Sequence, residues 1–226
     1  MNETSKTLQL LSERELGFLR GRGLDIGCGS DPVRSDVQRF DIDDGDANKI
    51  TQYVTDLESF DYVFSSHCLE HMHDASVALA EWWKLVKPGG VMMVVVPDED
   101  LYEQGYWPSL FNSDHKVSFT LSKEQSWSPV SRNLADLVRE LPSADPVSLR
   151  LQDHRYRRTY LAPAVWPWSV ARFATRGRNA VVRRLPALRL PLRLLYLSLR
   201  LPVDQTEGQA TAQNIVIVAK RAALRM

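Results

Sequence analysis

Gly23-Leu24-Asp25-Ile26-Gly27-Cys28-Gly29-Ser30-Asp31-Pro32 is the stretch on which the fold turns. Leu24 to Ile26 is a short apolar run that stops at a spaced pair of glycines, the pattern of a buried strand entering a tight turn. Working outward, Phe40 to Ile42 is a second apolar run ending in acidic residues. Tyr62 to Phe64 follows Phe60-Asp61, and Val91 to Val96 follows Pro88-Gly89-Gly90. Between the runs lie helical or irregular segments, and alternation of this kind predicts a parallel sheet in an α/β domain. Ala75 to Val86 has helical periodicity, with Asp74 as its N-cap and Pro88-Gly89-Gly90 as its stop. Val147, Leu149 and Leu151 alternate with polar residues, whereas Ile215 to Val218 is continuously apolar; these predict a half-exposed strand and a buried one.

Upstream of the glycines, Leu8, Leu10, Leu11, Leu16, Phe18 and Leu19 recur at helical spacing, so residues 6–20 are expected to form one amphipathic helix on the sheet edge. The 226 residues suit one domain with one core. Its expected parts are a leading helix over 1–21, a half over 22–100 that carries the glycine turn, a second half over 101–154, a basic insertion over 155–205 and a final strand with its tail over 206–226. Twenty-eight basic residues balance 28 acidic ones, which gives no global case for nucleic acid. Two cysteines, Cys28 and Cys68, are too few for a disulfide framework and lack metal-ligand spacing. With a polar start and no apolar run long enough to span a bilayer, the expected location is the cytoplasm or the inner face of the membrane.

In an open parallel sheet ligands sit beyond the carboxyl ends of the strands, where this chain gathers Asp25 to Asp31, Asp41 and Asp43, Asp56, Ser65 to His67 and Pro97 to Asp100. Glycines at 27 and 29 admit a ligand close to backbone, and an acidic side chain after the second strand can accept from both hydroxyls of a ribose. A dinucleotide fingerprint would require a third glycine opening a helix toward a pyrophosphate; Pro32 and an acidic loop stand there instead.

Gly23 to Pro32 resembles the first motif of class I S-adenosylmethionine-dependent methyltransferases, nearest their type-11 group. Phe40-Asp-Ile-Asp43 resembles the ribose-binding motif and Thr55-Asp-Leu57 the adenine-side motif. Phe60 to His71 resembles the fourth-strand motif, and Leu85-Val-Lys-Pro-Gly-Gly90 the turn before strand five, all in the family's order. The resemblance implies a doubly wound, mostly parallel, seven-stranded Rossmann-like sheet with a basic helical insertion before the last strand. It implies S-adenosylmethionine as cofactor, released as S-adenosylhomocysteine, and a cofactor site comprising Asp25, Gly27, Cys28, Gly29, Ser30, Asp41, Ile42, Asp43, Asp56, Leu57, Ser65, Ser66 and His67. The acidic assignment can slip from Asp41 to Asp43, and Cys28 is read as packing.

Methyl transfer from a sulfonium asks the protein mainly to align the acceptor and exclude water. A hydroxyl acceptor also needs a base, for which histidine is best matched to neutral pH. Of five histidines, His67 after the fourth strand and His115 in Asn112-Ser-Asp-His-Lys116 are the favoured pair, with His154 third. Glu70 and His71 read as fixing the loop, and His73 as exposed. Asp98-Glu99-Asp100 reads as solvated, and no metal is expected. Val96 to Lys116 carries a weaker resemblance to methyltransferases of bacterial surface-polysaccharide pathways. It points to a small-molecule or glycan acceptor, with Tyr102, Tyr106, Trp107 and Phe111 suited either to stacking on a sugar or to a lid.

Residues 155–200 contain eleven arginines and no lysine, aspartate or glutamate, so the rest of the neutral chain carries minus eleven. Drawn as a helix, Leu188 to Arg200 aligns Arg189, Arg193, Tyr196 and Arg200 among leucines. Residues 163–202 thus suit a peripheral membrane contact, a homodimer interface or burial on their own domain, and nucleic acid is not expected. Against catalysis stands a membrane or assembly protein that keeps the fold. Against a small acceptor stands RNA or protein methylation, for which the Asn/Asp-Pro-Pro-Tyr-type motif is missing.

Overall fold

The computed structural model describes residues 3–121, 123–161 and 164–222, so the outer ends of the leading segment and the tail, and positions 162 and 163 of the insertion, lie outside the described residues. The chain opens with α1 (Glu3–Leu8) and α2 (Glu13–Gly17), then runs into β1 (Gly23–Ile26), β2 (Gln38–Phe40) and β3 (Phe60–Ser66). Helix α3 (Ala75–Trp83) leads to β4 (Val86–Pro97), followed by the short β5 (Ser118–Thr120) and β6 (Ser131–Asn133), α4 (Leu134–Arg139) and β7 (Ala144–Gln152). The insertion supplies α5 (Trp168–Arg184) and α6 (Arg189–Ser198), and β8 (Gln213–Lys220) closes the chain.

The main sheet has the order β2-β1-β3-β4-β8-β7. Strands β1 to β4 are parallel, and β8 runs antiparallel to both β4 and β7. This is the Rossmann-like methyltransferase architecture, with six strands among the described residues rather than the seven expected. The missing edge follows from composition. Between β2 and β3, Asp41 to Asp46 is acidic and glycine-containing, and Ala47–Gln52 forms a short 3₁₀ turn, so no apolar run of strand length remains. Strands β5 and β6 form a separate parallel pair.

The expected single leading helix is two. Ser12 accepts from the Glu15 amide at 3.3 Å while the Glu15 carboxylate accepts from the Ser12 amide at 2.7 Å, a capping box that starts a new helix in mid-pattern. The segment packs on a face of the sheet rather than its edge: Leu11 and Leu19 join Tyr62, Phe64, Met93, Val95, Ile215 and Ile217. The opposite face is covered by α3 and α4, where Trp82 and Trp83 pack with Leu24, Ile26, Met92, Val94 and Val216. Along β4 successive residues therefore alternate between two buried faces, which is why its sequence reads as an unbroken apolar run. Asp74 caps α3 as expected, accepting from Ser76 and Val77 amides. Pro88-Gly89-Gly90 loops out between the Phe60–Val86 and Tyr62–Val91 pairs.

Candidate active site

The turn after β1 adopts left-handed backbone at Gly27 (φ 74°) and Gly29 (φ 52°). A Cβ on Gly27 would meet Cys68 Sγ at 2.6 Å, so only glycine fits. Asp41, the first residue past β2, accepts from the Gly29 amide and, at 2.8 Å, from that of Ile42. One cavity of about 580 Å³ opens over these strand ends, within the usual range for a small-molecule site. Gly27, Asp41 and Ile42 line it, joined by Gly45 to Asn48, His67, Cys68, His71 and Met72. Phe40, Ala47 and Met72 supply apolar surface for a flat base, and Asp41 and Asp46 supply acceptors for hydroxyl and amino groups. With Asp114 the wall holds three carboxylates against Lys116, a balance suited to a cationic ligand.

Not every residue expected here arrives. Asp25 is buried and turned back behind the loop, accepting from the Val33 amide at 2.6 Å, and burial pushes its carboxyl up to about 7. It shapes the loop without lining the cavity. The Cys28 side chain is also buried, receives a hydrogen bond from Arg39 Nε at 3.2 Å and has its thiol pKa raised by burial; Ser30 and Asp43 are exposed outside the wall. Ser65 donates to the Ile26 carbonyl at 3.0 Å, and Ser66 is buried. Asp56 and Leu57 require a correction. They precede the amino end of β3, where Asp56 pairs with Arg22 just before β1, at the other end of the strands from the cavity. The cavity wall beyond β2 is supplied instead by Gly45-Asp46-Ala47-Asn48, which reading for a motif close to β3 passed over. The available signal was an Asp-Ala pair six residues after the end of β2.

A second cavity of about 210 Å³ adjoins the first, sharing His67 and His71 and lined further by Glu3, Glu70, Tyr102, Asn112, His115 and Gln213. His67 Nε2 lies 2.9 Å from Gln213 Oε1 and Nδ1 lies 3.3 Å from Glu70 Oε1. Burial opposes a charge on His67, but Glu70 and then Glu3 outweigh it and hold the imidazole pKa above its ordinary value. Burial likewise works to raise Glu70, and the three histidines around it bring its carboxyl below the usual range. His115 is buried, with Nδ1 2.8 Å from Glu103 Oε1, which leaves Nε2 as its free nitrogen. Glu70, His71 and His115 bring ligating atoms within 4.8 Å of one another, a grouping able to hold a metal ion.

His154 lines neither cavity; it is exposed and held through Thr211. Asp98 and Glu99 are not solvated but built in, and only Asp100 keeps a half-exposed side chain: Asp98 caps the next turn and accepts from Asn214, and Glu99 is buried against Ser126, Ser131 and Lys123. Of the four aromatics, Tyr102 reaches the second cavity with Phe111 packed against it, whereas Tyr106 is buried with Leu110 and Ala171. Glu103 carried no signal in sequence, being twelve residues from the histidine it holds.

Residues 2–140 match the model of a family described as a methyltransferase domain. The chain matches no curated protein by sequence. Among solved structures it resembles a candidate methyltransferase of Bacillus halodurans C-125, at 14% identity with a TM-score of 0.53, over 99% of this chain and 100% of the other. It also resembles the YcgJ protein of Bacillus subtilis (11% identity, TM-score 0.51, 98% and 100% covered) and the cyclase SpnF (15%, 0.50, 97% and 82%). Identities this low speak to the fold alone, and a cyclase on the same fold means that the reaction must be argued from the site.

Proposed function

The chain belongs to the methyltransferase-domain family, and from that premise we propose that it transfers a methyl group to a hydroxyl oxygen of a small acceptor. The fold is that of class I S-adenosylmethionine-dependent methyltransferases, and S-adenosylmethionine is the cofactor. When bound, it supplies an electrophilic methyl on a sulfonium that leaves as a neutral thioether. In this reading Gly27 and Asp41 hold its aminoacyl and ribose parts, and Asp46 to Asn48 flank its base. The observation that carries the reading is that His67 and His71 form the wall common to both cavities, so acceptor and cofactor meet across them.

His115 takes the acceptor's proton on Nε2, while Glu103 fixes the tautomer by accepting from Nδ1–H, the carboxylate–imidazole arrangement of a general base. His67, held between Glu70 and Gln213, orients the acceptor. Steady-state kinetics test this division of labour. His115→Asn is expected to lower kcat by about 10²–10⁴-fold with S-adenosylhomocysteine affinity unchanged, and Glu103→Gln by a smaller factor. Unchanged kcat in both would remove His115 from the chemistry.

The finer reading is a saccharide hydroxyl on a membrane-bound or free glycan. Tyr102 and Asn112 in the acceptor wall suit a sugar ring. Contact of the α5–α6 face with an anionic membrane surface is supported by the exposure of Phe173 (82%), Leu190 (64%) and Leu194 (57%) amid arginines. Self-association through the same face is the outcome that would replace it.

A further inference from the structure

The arginine-rich insertion does more than present an outer face. Arg172, Arg176, Arg183 and Arg189 line an open groove of about 710 Å³ between the insertion helices and the Leu110–Phe111–Ser113 wall. The single carboxylate in that wall, Glu207, faces the buried Arg178 at 3.4 Å, and none of the four lining arginines has an ion-pair partner among the described residues. Arg172 is pre-set, donating to the Ser109 carbonyl at 3.0 Å and lying 5.2 Å over the Trp168 ring. Thr175, Asn179 and Ser113 add neutral hydrogen-bonding groups. Several guanidinium forks around one groove match the oxygens of phosphate better than those of any single carboxylate.

The groove borders the acceptor cavity. Phe111 and Ser113 belong to it while Asn112 between them lines the smaller cavity, and Phe111 packs edge-on against Tyr102 at 5.7 Å. We propose that this groove binds a phosphate-bearing group and, resting on the methyl-transfer reading, that it holds the phosphate of the carrier to which the acceptor is attached. The methylated hydroxyl then sits by His115 and the anionic carrier runs out between α5 and α6.

The test is calorimetric titration of the full chain with inorganic pyrophosphate, alongside titration with S-adenosylhomocysteine and sedimentation with phosphatidylglycerol and phosphatidylcholine vesicles. Saturable pyrophosphate binding that weakens at least tenfold in Arg183→Ala/Arg189→Ala, with the melting temperature and S-adenosylhomocysteine affinity unchanged, is the expected result. The milder Arg176→Gln is expected to weaken it several-fold. Binding confined to phosphatidylglycerol vesicles and lost in the double variant would keep the phosphate site but overturn its assignment to the acceptor's carrier. Binding that is absent from both arms, or equal in the variants, would overturn the site. Pyrophosphate binding without S-adenosylhomocysteine binding would leave the site standing and sink the methyl-transfer reading instead.

Discussion

His67 has left-handed backbone, φ 55°, although it is not a glycine, and it is held there from three directions. Its amide donates to the Val95 carbonyl at 2.9 Å, and its ring lies between Gln213 and Glu70. Residues kept in such conformations gather at functional sites, and this one lines both cavities. Since Glu70 is the main cause of the raised imidazole pKa, Glu70→Gln is expected to move the His67 titration midpoint down, read by NMR of the ring protons. The sign for stability follows. A histidine raised in the folded state contributes fully below its unfolded value of about 6.5, and the contribution fades as pH climbs through the raised one. The stability gap between wild type and Glu70→Gln should therefore narrow above neutrality, and a constant gap would show that Glu70 does not act through His67. Much of this site could be read from residues whose position is fixed by a strand end, as with Gly27, Asp41 and His67. Asp56 misled because its neighbourhood depends on the length of the β2–β3 connection, and Asp46 went unread for the same reason.

Elements were legible where one physical signal ruled. Helix α3 has its aspartate cap but ends at Trp83, short of the expected Pro88-Gly89-Gly90 stop, which lies within β4; β4 and β8 are apolar on both faces because both faces are covered. The leading segment shows two signals in competition: leucines at helical spacing against a Ser12–Glu15 capping box, and the box won. Ser12→Ala should accordingly cost about 0.5–2 kcal/mol in chemical denaturation, while leaving α1 and the cavity walls intact. A neutral substitution would mean that the break has another cause. Strand count was beyond reach because a sheet edge is defined by a missing neighbour, and the acidic Asp41–Asp46 stretch serves the cavity instead of extending the sheet.

At the scale of the whole molecule the charge is segregated: the neutral total conceals a plus-eleven stretch over residues 155–200 on a minus-eleven remainder. The larger cavity draws its carboxylates from the acidic part, and the arginine groove and the outer face of α5–α6 come from the basic part. Among the described residues no helix is long and apolar enough to cross a membrane. Phe173→Glu combined with Leu190→Glu is expected to abolish flotation with phosphatidylglycerol vesicles without lowering S-adenosylhomocysteine affinity; undiminished flotation, or a dimer that dissociates in the variant, would assign the face to a different role.

The account stands on a cofactor seated between Gly27 and the carboxylates that follow β2. Titration of S-adenosylhomocysteine into wild type, Asp41→Ala and Asp56→Ala measures this directly. One-to-one binding that weakens about ten- to hundredfold in Asp41→Ala and is unchanged in Asp56→Ala is the predicted result; no binding by the wild type, or a loss in Asp56→Ala with none in Asp41→Ala, would contradict it.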